Sequence, residues 1–183
     1  MIIDPASIIS RLYLHHRTAR ETLTEHSESV AAKAVNIAEK LNLSKEERVF
    51  IREAALLHDI GIFLTHAPSI GCDGTLPYIC HGYLGHDLLI KEGLPVHALV
   101  CERHTGTGLT VDDIVRNELP LPRRQMIPVS LPEKIICYAD KFFSKDHGQL
   151  GVEQPVEKVR KKLLRFGPEK LAVFDKWHSF FAL

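Results

Sequence analysis

Six residues of metal-ligating type fall at helix ends or on apolar helix faces: His26, the adjacent pair His58 and Asp59, His81, His104 and Asp140. In such places a polar side chain without a partner costs on the order of 1 to 3 kcal/mol. Convergence on a cation removes that cost, because imidazole nitrogen and carboxylate oxygen satisfy a divalent ion and the ion offsets the buried charge. With no thiolate in the set, the ligands suit one or two ions of iron, manganese, zinc, nickel or cobalt without choosing among them. Two ions about 3.5 to 4 Å apart clamp a phosphoryl oxygen and share a hydroxide acidic enough to form at neutral pH, which is the chemistry of phosphoryl hydrolysis.

The elements that must position these residues read as helices nearly throughout. Asp4 before Pro5 opens a segment through about His16. Thr22 and Glu25 match a capping box ahead of His26, Val30, Ala34, Ile37 and Leu41, which recur on one helical face. Ser44 and Glu47 repeat the device, and Gly61 is a natural stop, so His58 and Asp59 occupy the last turn of a mostly apolar helix. Residues 62–80 read as a long loop of the kind that carries function. Helices follow at about 81–92, 95–104 and 110–119, then a proline-rich loop. Ser130 and Glu133 cap a helix through about Phe143, and two more run from 156 to 166 and from 168 to 181. The fold class is therefore all-α, a single domain over 1–183.

The 23 basic and 23 acidic residues cancel, which leaves no general field for a polyanion. Nucleic acid is accordingly not an expected partner. The apolar stretches are short and interrupted by charge, so no membrane partner is expected and the chain reads as cytoplasmic. Cys72, Cys80, Cys101 and Cys137 show no paired spacing and read as reduced, partly buried thiols.

The order His26, His58-Asp59, Asp140, with H-D-I-G at 58–61 and Y-A-D-K at 138–141, resembles the HD superfamily of metal-dependent phosphohydrolases. The likeness runs from about Thr24 to Ser144. The segment E-R-H-T-G at 102–106 and His81 heading H-G-x-x-G are similar to the subset that binds two metals. The resemblance implies a helical bundle with the metal site in its core. It makes His26, His58, Asp59 and Asp140 the ligands of one metal, with Asp59 bridging to a second held by His81 and His104. It also implies a small phosphorylated substrate, most plausibly a nucleotide, hydrolysed at a phosphoester or phosphoanhydride by metal-activated hydroxide.

The chain departs from the family pattern after HDIG. Many two-metal relatives carry a cation there, and Ile62 and Phe63 stand in its place. His66 is the substitute candidate for catalysis and substrate binding. Arg103 and Lys141 flank ligands and are candidates for substrate phosphate, against a plainer reading as surface ion pairs. Thr105 and the run Gly106-Thr107-Gly108-Leu109 replace the second His and the G-Y-P element of the cyclic-dinucleotide phosphodiesterases, which argues against that activity. Arg123 and Arg124 read as solvated loop residues. Trp177, Phe180 and Phe181 read as core or a homodimer contact rather than a platform for bases. Two other functions share the sequence features: a di-iron oxygenase on the same scaffold, and a nucleotide-binding regulatory module without turnover.

Overall fold

The computed structural model describes residues 3–182. Within them the chain forms α1 (Pro5–Leu12), α2 (Arg17–Lys40), α3 (Lys45–Leu57), α4 (His81–Lys91), α5 (Pro95–Arg103), α6 (Val111–Arg116), α7 (Leu131–Asp140), α8 (Val156–Leu164) and α9 (Pro168–Phe181). The all-α expectation holds, with one addition. Residues 62–80 are not an unstructured loop but short 3-10 turns around β1 (Thr65–Ala67), β2 (Cys72–Asp73) and β3 (Leu76–Pro77). The sheet order is β2-β1-β3, with β1 antiparallel to β2 through His66 opposite Asp73 and parallel to β3 through Thr65 opposite Leu76. Strands of two or three residues carry no periodic signal, which is why alternation does not reveal them.

Local rules set most helix starts. Ser44 and Glu47 cap α3, Ser130 and Glu133 cap α7, and Thr110 and Asp113 cap α6, each through reciprocal side-chain and backbone hydrogen bonds. The Thr22–Glu25 pair does not act this way. The helix already begins at Arg17, and Thr22 is buried in its interior. Continuous packing of Ala19 and Leu23 outweighs the local capping signal. Helix α7 ends at Asp140, three residues before Phe143, and the chain turns through Lys141 and Phe142.

The apolar interior has two main parts. One joins Val30, Ala34, Ile51, Ala55, Ile136, Tyr138 and Phe174 from α2, α3, α7 and α9. The other joins Tyr13, Leu23, Leu57, Ile60, Leu89, Ala98 and Cys101 from α1–α5 and the turn after α3. Helix α2 contributes Leu23 to one and Val30 to the other, with His26 between them. Likewise Ala55 and Ile60 bracket His58 and Asp59. The polar cluster therefore lies on the seam between the two apolar bodies. Trp177 and Phe181 are core residues, whereas Phe180 is exposed.

Candidate metal centre

Three helices and two helix-ending turns bring the candidate ligands together. His26 comes from the middle of α2, and His58 and Asp59 from the turn that ends α3. His81 opens α4, His104 caps α5, and Asp140 closes α7. Gly61 makes the approach of two of these segments feasible. A β-carbon there would lie 2.4 Å from the His81 carbonyl oxygen and 2.5 Å from the Gly85 nitrogen, so only glycine lets the H-D-I-G turn rest against the backbone of α4. Its φ of −87° is ordinary, so close approach rather than a left-handed stop is the reason for this glycine.

Asp59 stands at the middle with its two oxygens divided. Oδ2 lies 3.2 Å from His26 Nε2 and 3.0 Å from His58 Nε2, while Oδ1 lies 3.4 Å from Nε2 of both His81 and His104. Asp140 Oδ1 completes the first group, 3.0 Å from His26 Nε2 and 3.5 Å from His58 Nε2. Two groups that could each hold a metal ion result, His26-His58-Asp59-Asp140 and Asp59-His81-His104, and they correspond to the grouping that the family resemblance implies.

Three imidazoles are oriented by the backbone. Nδ1 of His58 donates to the Ala55 carbonyl at 2.6 Å, Nδ1 of His81 to Tyr78 at 2.6 Å, and Nδ1 of His104 to Cys101 at 2.7 Å. A ring nitrogen facing a carbonyl must carry the proton, so Nε2 of each points into the cluster as the available donor atom. Burial pushes His81 down to about 3 and lowers His104 as well, so both are neutral at pH 7. Their Nε2 lone pairs then face each other at 3.0 Å, a repulsive contact that a cation relieves. Both oxygens of Asp59 and Nε2 of His58 are buried without a well-aligned hydrogen bond, despite charged neighbours within reach. In each group the donor atoms lie within 4.8 Å of one another, close enough to share an ion. The donor set fits divalent metal at both groups.

Electrostatics hold the carboxylates ionised. Burial alone would raise Asp59, but Lys145 and then His58 keep it well below the usual carboxylate range. Asp140 is held down in the same way, chiefly by Lys141 and His26. Burial would depress His58, yet Asp59 and Asp140 bring it up to about 9 in the metal-free protein.

The candidate residues outside the ligand set separate clearly. Lys141 lines the site, with Nζ 2.7 Å from Asp140 Oδ2 and 3.2 Å from the His104 carbonyl. Arg103 turns away to Glu133 at 3.0 Å, which matches its reading as an ion pair, with Glu133 as the partner. Arg124 pairs with Glu102. His66 is exposed on β1, between two residues whose side chains face inward, and it does not line the cavity beside the cluster. The cation beside Asp59 is instead Lys145, which sequence reasoning missed, with Nζ 2.6 Å from Oδ2. Its signal was the spacing Asp140, Lys141, Lys145 in a turn that leaves the end of α7. Tyr78 stacks on His81 with ring centres 4.7 Å apart and adds a wall above the same point.

His26, His58 and Asp59 are completely buried, while His81, His104 and Asp140 keep between 3% and 8% exposure, so the centre opens on that side. There it forms the floor of a cavity of about 790 Å³, lined by Tyr78, Lys141, Phe143 and Lys145 near the floor and by residues of α8 and the α8–α9 turn farther out.

A helical bundle with two His/Asp groups sharing one buried aspartate defines a class of metal-binding α-helical proteins. The HD domain family matches residues 23–144, and this chain belongs to it. The chain is also 31% identical over 180 residues to the tRNA (cytidine(56)-2'-O)-methyltransferase of Thermoplasma volcanium, covering 98% of this chain and 48% of that one. It is 32% identical over 146 residues to an uncharacterized protein of Methanocaldococcus jannaschii, covering 78% of each. A tRNA (cytidine(56)-2'-O)-methyltransferase of Picrophilus torridus is 28% identical over 154 residues, 84% of this chain and 40% of that protein. This chain thus spans less than half of either methyltransferase. No solved structure matches it.

Proposed function

We propose that this protein is a metal-dependent phosphohydrolase acting on a phosphoester or phosphoanhydride of a small nucleotide. The observation that carries the reading is buried Asp59 set between two histidine groups, beneath a cavity lined by His81, His104, Asp140, Lys141 and Lys145. Bound there, divalent metal would supply a nucleophile from water at neutral pH and draw charge from phosphoryl oxygens. The chain's own residues do the remainder. His58, His81 and His104 present Nε2 in fixed tautomers, and Asp59 and Asp140 stay ionised to hold positive charge at the floor. Burial would lower the pKa of Lys145, but the Asp59 carboxylate raises it, so Lys145 remains an ammonium and would oppose negative charge on the transferred group rather than serve as a base. Tyr78, Phe143 and Phe166 offer flat apolar surface for a base.

The test is Asp59→Ala, purified and shown to be folded, assayed anaerobically with manganese or zinc over phosphatase and phosphodiesterase substrates. Loss of both metal content and turnover is expected, and turnover retained by the variant overturns the reading. Oxygen consumption by the iron form, without anaerobic hydrolysis, would assign the oxygenase instead. Two of the matched relatives are named for action on tRNA, so tRNA belongs in the panel.

A further inference from the structure

The cavity above the centre extends beyond the residues of the HD match. Its outer wall is α8, where Lys162 and Arg165 line the same space as Lys141 and Lys145. The inner lysines are each paired with a ligand carboxylate, and Lys170 on the far rim is paired with Asp113. Among the described residues, the side chains of Lys162 and Arg165 make no hydrogen bond or ion pair. The acidic groups that line the cavity are already engaged: Asp113 by Lys170 and Thr110, Asp140 by Lys141, and Asp146 by Ser144. The helix does not need either cation for packing, since it docks through Val159 and Leu163. Partial burial against the cavity wall, followed by the charges of Lys141 and Lys145, holds the Lys162 amine below its ordinary value against the pull of Asp140 and Asp146. Cations that face one another across a cleft repel until an anion enters, and two unpaired charges match a phosphoryl dianion.

We infer that Lys162 and Arg165 form an anion subsite for a second phosphoryl group, so that the substrate carries phosphate both at the metal centre and at the α8 wall. The inference rests on the proposed hydrolase only for the group at the centre, because occupancy of the α8 subsite is a matter of binding.

Calorimetry on the metal-loaded protein tests it with inorganic phosphate and with methylene-bridged di- and triphosphonates, which resist hydrolysis. A bridged phosphonate is expected to bind more tightly than phosphate. The double variant Lys162→Ala/Arg165→Ala is expected to weaken that binding at least about tenfold, as loss of a charge-assisted contact does, with a smaller change for phosphate. Lys162→Glu should weaken it further, and Lys162→Arg should restore it. Both side chains are exposed, so equal melting temperatures establish that the variants are folded. Failure of either phosphonate to bind more tightly than phosphate, or equal binding by wild type and double variant, overturns the subsite. If no phosphate compound is hydrolysed while phosphonate binding still depends on Lys162, the hydrolase reading fails and the subsite stands.

Discussion

Asp59 is shared by both candidate metal groups, and Lys145 touches it from outside them. Replacing Lys145 by Ala removes a cation without removing a ligand. Metal content measured by elemental analysis should persist while kcat falls, by roughly a hundredfold if Lys145 opposes charge on the transferred group. His66→Ala, on an exposed strand position, should leave both unchanged. The histidines also set a pH signature for the chelated protein. His58 rises from 6.5 to about 9 on folding, so its contribution to stability is complete below about pH 6.5 and is lost as pH climbs to 9. His81 falls from 6.5 to about 3, so its contribution is lost as pH drops from 6.5 toward 3. The melting temperature of metal-free protein should therefore peak near pH 6.5. Metal must displace the His58 proton, so uptake at pH 7 to 8 should release protons, measurable by calorimetry in buffers of different ionisation enthalpy.

At the scale of elements, the H-D-I-G turn and α4 are fitted to each other through Gly61 and Gly85. Gly61→Ala should destabilise the protein by about 1 to 3 kcal/mol through overpacking, read as a lower urea midpoint, and should weaken metal uptake by shifting His81. The capping box of α7 holds a second link. Glu133 caps the helix and also receives Arg103, so the C-terminal end of α5, next to His104, is tied to the N-terminal end of α7, the end opposite Asp140. The capping boxes at Ser44 and Ser130 were legible because Ser and Glu three residues apart satisfy backbone groups locally. The box at Thr22 was misleading for the same reason: local hydrogen-bonding capacity existed there, but burial of Ala19 and Leu23 extended the helix past it.

In the whole molecule, the ligand cluster lies on a seam between two apolar bodies, so bound metal ties α2, α3, α4, α5 and α7 together. Saturating metal should stabilise the fold by about 4 kcal/mol at a thousandfold excess over Kd, and chelation should lower Tm by on the order of 10 °C. The zero net charge places any attraction for an anionic substrate inside the cavity, where Lys141, Lys145 and Lys162 gather. No helix among the described residues is long and apolar enough to cross a membrane.

The amino-acid order displayed most of the helices and the metal-ligating residue types at their ends, because helical period and capping are local properties, and the family resemblance supplied the division of those residues around Asp59. It could not assign the partners of the cations. Arg103, Lys141 and Lys145 look alike in sequence, yet one pairs with a helix cap and two face the metal ligands. It likewise read the segment after H-D-I-G as loop and offered His66 from it, whereas the paired strands turn that side chain outward. Those outcomes depend on which distant backbones meet, a consequence of packing between segments far apart in the chain, and only the tertiary structure decided them.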